Sequence, residues 1–395
     1  MARLAPNQRA RAVAESVTLA ISARAAQLRS EGKDVVSLSA GEPDFPTPPA
    51  VAAAGIEAIE TGKTRYTATS GMPELRRAAT TWFSREFDLA LRPEQVMASS
   101  GAKSALHMAL TALVEPGDPV LLLAPHWVSY PDLVRVAGGV PITLPAVPEQ
   151  GFVHTGAQLA YAAAEHGARG VILNFPNNPS GAVPTHEQVE GLVRAARDHG
   201  LWIVSDEIYG GMVYPGHQHV SPAHYDRDLE HTLVVNGATK SHSFTGWRLA
   251  FLAGPVDLIA AAGRIQSQVL GNPCTISQHA AIAVCEGDFT EERARRIHSF
   301  DERRQFLHKA INAIPTLSLA LPAGAFYALV DASELTRRRG VDDAAIVRQL
   351  LDEELLAVVP GSAFGIPSFI RLSYAAAMPE LRKGVERLQR FAEAQ

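Results

Sequence analysis

The feature that most constrains this fold is a rhythm. Between about Gln95 and Gly254, the short apolar runs "PVLLLAP", "GVILNFP", "LWIVSDEIY", "HTLVVNG" and "RLAFLAG" alternate with stretches of helical periodicity. Continuous apolar runs, rather than alternating ones, belong to strands covered on both faces, and strands separated by helices pair in parallel. The expectation is an α/β fold: a large domain with a mostly parallel sheet covered by helices, plus a smaller α/β domain. The helical stretches support it. "AKSALHMALTALV" sets Ala102, Ala105, Leu106, Ala109, Leu110 and Leu113 on one face, and "THEQVEGLVRAARDHG" opens on a Thr185 cap and closes on Gly200.

A chain of 395 residues is long enough for two coupled domains. The expected division is an amino-terminal arm with part of the small domain over 1–45, a large cofactor-binding domain over 46–289, and a small domain over 290–395, whose strands are "GAFYALVD" and "FIRLSYA". The segment "GEPDFPTPPA" reads as an ordered crossing between them. No apolar run approaches the roughly 20 residues of a membrane span, and the basic amino terminus lacks the apolar core of a secretory signal. Cys274 and Cys285 make neither a disulfide framework nor a metal motif and fit a cytoplasmic protein. A net charge of -5 lacks the basic footprint of a nucleic-acid binder, and the arginines of "LTRRRG" read as a solvated helix end.

In open parallel sheets ligands bind at the carboxyl ends of the strands. The polar residues there are Ser99, Ser100 and Gly101, Asn177 and Asn178, Asp206 and Tyr209, and Lys240. With the strands side by side, an acid, an amide, a phenol and an amine meet in one crevice. That set suits pyridoxal phosphate, which needs a lysine amine for its aldehyde, an anion beside its ring nitrogen and a phosphate cradle. Asp206 is the candidate anion, with Tyr209 as donor to the ring hydroxyl. "SSGAKSAL" runs from a strand through a glycine turn into a helix, offering free N–H groups and the positive helix end to phosphate, and Arg248 adds a planar clamp. Lys240 lies among Gly237, Ala238, Thr239, Ser241 and Ser243, all small, which leaves space for a flat ring.

Each residue has a plainer reading. A strand-end Asp is commonly a turn acid, a lone Lys is commonly solvated, and Trp127 in "APHWVSY" suits either core or stacking on a ring. "SSGAKS" lacks the Gly-Lys pair of a nucleotide-binding loop. His217, His219 and His224 sit in a proline-bearing loop with no carboxylate pattern nearby, so no metal is expected.

The order and wording of the motifs resemble the class I/II pyridoxal-phosphate aminotransferases of fold type I, closest to the bacterial aspartate aminotransferase branch. The resemblance runs from "VVSLSAGEPDFPTP" through "GKTRYTATSGMPELR", "SSGAKSALHMAL", "LLLAPHWVSYPDLVRVAGG", "NFPNNPSGAV", "IVSDEIYGGMVY" and "NGATKSHSFTGWRLAFLAGP" to "PAGAFYALVD", "VVPGSAFG" and "IRLSYA". It implies that Lys240 is the catalytic residue and holds the cofactor, that Asp206 pairs with the ring nitrogen, that Tyr209 and Asn178 contact the ring oxygen, and that Trp127 stacks on the ring. Gly101, Ala102, Lys103, Thr239 and Arg248 are implied as the phosphate cradle, with Tyr66 reaching in from a second subunit, hence a homodimer with shared active sites. Arg371 is implied to grip the substrate carboxylate, assisted by Gly41 and Asn178.

The implied reaction moves an amino group from an α-amino acid to a 2-oxo acid with ping-pong kinetics. Lys103 is at the position where a lysine of the aspartate branch meets a distal carboxylate, which favours aspartate or glutamate. Ala14 stands about where relatives accepting prephenate carry lysine, and Gly271-Asn272-Pro273-Cys274 stands where small hydroxyl residues are commoner. Both point to a different or specialised acceptor. The same electron sink serves a lyase, an oxidase or a cyclase, so that alternative stays open. An amino-acid sensor is a further reading, disfavoured by the presence of Lys240 and the absence of a basic DNA-binding module.

Overall fold

The computed structural model describes residues 4–394. Its centre is a seven-stranded sheet in the order Val96–Ser99, Ala250–Ala253, Thr232–Asn236, Trp202–Asp206, Gly170–Asn174, Pro119–Leu123, Val140–Leu144. Ala250–Ala253 runs antiparallel to both neighbours and every other pairing is parallel. Six strands therefore share one direction, and the reversed strand contributes the residues before it, not after it, to the same edge.

The sheet is covered on both faces because its strands are apolar on both. On one side Val120, Leu122, Val204, Val235 and Leu252 pack under Ala105, Leu106 and Ala109 of the helix Ala102–Leu113. On the other, Leu121, Val171, Leu173 and Ile203 meet Val189, Leu192 and Val193 of the helix His186–Asp198. Each fully buried Leu, Val or Ile contributes roughly 1.5–3 kcal/mol relative to an exposed one. The second helix starts where its cap predicts: the Gln188 amide donates to Thr185 Oγ1 at 3.3 Å, and Gln188 Oε1 accepts the Thr185 N–H at 2.9 Å. The strand Val140–Leu144 escapes the apolar rhythm because it lies at the sheet edge, where Val140 is exposed and Pro141 is tolerated.

A second core gathers Val36 and Leu38 with Phe300, Leu307 and Ile311 of the helix Thr290–Ile311 and with Tyr327, Ile370 and Leu372. Here the sheet is antiparallel, ordered Val359–Pro360, Phe369–Ser373, Tyr327–Asp331, Ser318–Leu319. The proline-rich stretch after Gly41 is tied down along its length. Asp44 pairs with Arg303 at 2.8 Å, the Pro46 carbonyl accepts from Arg296 at 2.7 Å, and Thr47 donates to the Ser243 carbonyl at 2.9 Å.

The arginine run departs from its sequence reading. Arg337 and Arg338 are solvated at the end of the helix Ser333–Arg339, but the Arg339 guanidinium lies 3.7 Å from the Phe391 ring centroid and donates to the Phe391 carbonyl. The aliphatic stem and flat head of arginine cover an aromatic face more favourably than water does. Among the described residues no helix is long and apolar enough to cross a membrane.

Candidate active site

The carboxyl ends of the parallel strands open into a pocket of about 270 Å³, lined by Gly41, Ala102, Lys103, Trp127, Asn178, Asp206, Tyr209, Thr239, Lys240, Arg248 and Arg371. Parallel pairing brings them together: each strand adds its first loop residues to one edge. Arg248 arrives from the other direction, because it precedes the reversed strand. Arg371 comes from the antiparallel sheet, where it pairs with Leu329 and Val359.

Asp206 is 4% exposed. It accepts the Tyr130 hydroxyl at 2.7 Å and the Ile208 N–H at 3.3 Å. Burial pushes its carboxyl up to about 6, opposed by those two hydrogen bonds and by the Lys240 charge. Lys240 donates to the Gly41 carbonyl at 2.5 Å, and its ammonium faces the rings of Tyr209 and Phe326 at 5.7 and 5.9 Å. Burial brings its amine down to about 8, and Arg248 and Arg371 push the same way against Glu42 and Asp206. The result is an amine that holds a free-base population near neutrality, beside an acid that is mostly ionised there.

Arg371 is 2% exposed and, among the described residues, has no carboxylate partner. Its Nη2 donates to the Ser39 carbonyl at 2.8 Å and its Nη1 to Asn178 Oδ1 at 3.1 Å, while the buried Nε has no acceptor. Tyr327 and Phe364 face the guanidinium at 4.5 and 4.9 Å. A buried cation left with a free donor is a costly arrangement that an incoming carboxylate relieves.

At the other end, the helix Ala102–Leu113 starts at Gly101 without a side-chain cap. Gly101 has φ 89°, and a Cβ there would lie 2.8 Å from Arg248 Nη2. A larger residue would fill the space between the free helix N–H groups and the guanidinium. Arg248 itself has φ 53°, a strained backbone for a residue with a side chain. These features fit a phosphate: open N–H groups, a helix dipole and a planar cation facing one space.

The remaining residues sort clearly. Thr239 donates to the Leu249 carbonyl at 3.4 Å. Lys103 lies 4.9 Å from the Trp127 ring centroid, its ammonium held below the usual lysine value by burial and by Arg248. Tyr209 shares a 2.7 Å hydrogen bond with Tyr327, and burial raises its phenol well above the ordinary value. Ser99 bonds Gln266 and Ser104, and Asn177 bonds Pro125, Asn174 and Ser180, so both are structural. Tyr66 does not line the pocket of its own chain and is 98% exposed.

Sequence reasoning missed Tyr130, Asn174 and Tyr327, and also Ser16, Thr18 and Leu19, which line the pocket from the amino-terminal segment. Asn174 holds two loops at once, donating to the Asp206 carbonyl at 2.9 Å and accepting the Asn178 N–H at 2.9 Å. Tyr130, three residues after Trp127, carries a signal only in its closeness to that motif. The histidine loop also differs from its reading, since the fold brings a carboxylate to it: Glu207 Oε2 accepts from His219 Nε2 at 2.9 Å.

The comparisons with known proteins agree with this geometry. The family model "Aminotransferase class I and II" matches residues 33–388. The aspartate aminotransferase of Bacillus sp. (strain YM-2) is 39% identical over 391 residues, 98% of each chain. The aspartate/prephenate aminotransferase of Cereibacter sphaeroides is 40% identical over 387 residues, 96% of each. A solved aspartate aminotransferase of Thermus thermophilus, with maleate, superposes with a TM-score of 0.92 at 38% identity, over 98% of this chain and all of that one. With its strand-end pocket, full-length relatives and shared fold, the chain belongs to the class I and II aminotransferases and is a transaminase.

Proposed function

We propose that this transaminase takes the amino group of a dicarboxylic amino acid, aspartate or glutamate, and delivers it to a 2-oxo acid in two ping-pong half-reactions on pyridoxal phosphate. The observation that carries the reading is the buried, carboxylate-free Arg371 opposite Lys240 and Asp206 in one pocket. When bound, pyridoxal phosphate supplies the electron sink for the Cα–H bond. Lys240 would hold it, and the Lys240 amine at Nζ would take and return the substrate α-proton, a role suited to an amine near 8. Asp206, ionised at neutral pH, would keep the ring nitrogen protonated. Tyr209 and Asn178 would face the ring oxygen and Trp127 the ring. Gly101, Ala102, Lys103, Thr239 and Arg248 would hold the phosphate.

For the substrate, Arg371 with Asn178 and Gly41 would orient the α-carboxylate in a two-pronged grip. The distal carboxylate would meet Lys103, a reading supported by the dicarboxylate maleate with which the Thermus thermophilus relative was solved. The assembly proposed is a homodimer that presents Tyr66 to the partner's pocket, consistent with the exposed Ile56, Ile59, Tyr66, Val269 and Leu270. The division at 45 and 289, and a cytoplasmic location, belong to the same reading.

The test is a half-reaction. Purified holoenzyme is titrated with one amino acid and no acceptor, and its visible band is followed. Aspartate or glutamate should discharge the band and a 2-oxo acid should restore it. Release of ammonia instead, or a response to neutral amino acids alone, defeats the substrate assignment.

A further inference from the structure

Glu207 is fully enclosed, follows Asp206 directly, and has no part in the chemistry above. Successive residues of an extended chain point to opposite sides. Asp206 faces the pocket and Tyr130, whereas the Glu207 carboxylate enters the histidine loop. There Oε2 accepts from His219 Nε2 at 2.9 Å and Oε1 accepts from Ser221 Oγ at 2.6 Å. Among the described residues no lysine or arginine pairs with it.

The backbone of Glu207 is equally committed. Its N–H donates to the Val235 carbonyl at 2.8 Å, and its carbonyl accepts the Gly210 N–H at 2.7 Å, closing the turn that presents Tyr209. His219 packs against that turn. A Cβ on Gly210 would lie 3.0 Å from His219 Cδ2 and 2.8 Å from Phe87 Cε1, and the His219 and Phe87 rings meet edge to face at 6.0 Å. Among the described residues His219 Nδ1 is buried without a partner, so the ring's one polar contact there is with Glu207.

We propose that Glu207 and His219 are positioning residues, a buried carboxylate and imidazole that clip the loop over 217–224 behind the Asp206–Gly210 turn and so fix Asp206 and Tyr209 against the cofactor ring. The inference rests on the proposed pyridoxal-phosphate site. It accounts for a buried acid that is satisfied yet unused, and for a histidine whose one hydrogen bond reaches the residue next to Asp206. The Glu207 charge also raises the Asp206 carboxyl, so the two sites are coupled electrostatically as well as through the chain.

The experiment titrates apoproteins with pyridoxal phosphate, reading affinity by absorbance and ring orientation by visible circular dichroism of the bound cofactor, with melting temperatures recorded separately. His219→Leu should weaken binding about tenfold, the worth of one lost charge-assisted hydrogen bond, and reduce the dichroic band. His219→Gln, whose amide donates to the same oxygen, should stay within about threefold of wild type, by the same scale. If His219→Leu does not fold, Glu207→Gln carries the test, with an expected loss of about threefold and a reduced band, since one of two hydrogen bonds is mismatched. Unchanged affinity and dichroism in the folded variants overturn the proposal, whatever their melting temperatures. Failure of the wild type to bind pyridoxal phosphate removes the proposed function and this inference together, whereas normal wild-type binding with unaffected variants removes the inference alone.

Discussion

Two depressions lie on opposite sides of the turn that follows Asp206, and the larger one is not the proposed active site. The outer depression, about 820 Å³, is lined by Arg85, Glu86, Arg293, His217, His219, His224 and the back of Gly210 and Gly211. At its floor one acid is doubly paired: burial raises the Glu86 carboxyl, but Arg293 and Arg85 both pair with it and hold it below its usual range. The inner pocket, about 270 Å³, gathers charges short of partners: Lys240 with only a carbonyl, Arg371 with no carboxylate among the described residues, Asp206 with a phenol and one backbone N–H. The lesson concerns what a site is. Volume alone marks a surface irregularity, whereas convergent, desolvated and unpaired charge marks a place that stores free energy for a ligand.

The comparison breaks most easily at Lys240. Lys240→Ala should lower turnover by at least roughly 10³-fold, within the range for loss of a general base and covalent anchor; retained wild-type exchange would sink the assignment. Arg371→Leu should lower kcat/KM about 10²-fold for every amino acid alike, the value of a lost bidentate charge-assisted pair. An effect confined to one substrate would argue for a side-chain contact. Because Arg371 is a buried cation without a counter-ion, the same change should leave the apoprotein's melting temperature unchanged or raised. A matched ion pair would behave in the opposite way.

The titrations sharpen the contrast. The Lys240 amine, brought down to about 8, should react with aldehydes at a rate that rises about tenfold per pH unit up to about 8 and then levels. Asp206 has a folded value, about 6, above the unfolded 3.8, so its contribution to stability is full below 3.8 and lost as pH rises through about 6. Asp206→Asn removes that loss. Denaturant unfolding of the apoproteins should show the variant more stable at pH 8 by up to about 3 kcal/mol, from roughly two pH units at 1.36 kcal/mol each, with the gap closing toward pH 4. A gap independent of pH would mean that packing, not ionisation, separates the two proteins.

The smallest effect belongs to the outer depression. Arg293→Ala breaks a half-buried pair but leaves Glu86 with Arg85, so it should cost about 1 kcal/mol and a few degrees of melting temperature while leaving kcat/KM within about twofold. A larger kinetic effect would show that the two depressions are coupled more tightly than the Glu207 clip requires.

Local pattern carried much of this molecule. Apolar runs flanked by helical periodicity are enough to define a covered parallel sheet, because a strand buried on both faces cannot be polar on either. Once the sheet is parallel, the residues after each strand must share an edge, so Trp127, Asn178, Asp206, Tyr209 and Lys240 could be collected from their places in the chain. What escaped depends on pairs distant in sequence. Tyr130 meets Asp206 across 76 residues and Tyr327 meets Tyr209 across 118. The edge strand Val140–Leu144 lacks the apolar run, and Arg339 looks solvated until Phe391 folds beneath it.

The sequence by itself determined the class of fold, the family and the chemical types at the strand ends, since these follow from periodicity and from the order of short motifs. Only the tertiary structure decided which charges would be left unpaired. Arg293 and Arg371 are the same residue type, yet one finds Glu86 and the other finds only a carbonyl, an amide and two aromatic faces. Pairing depends on distance in space, and a buried charge without a partner becomes a binding site because no water reaches it to screen the field.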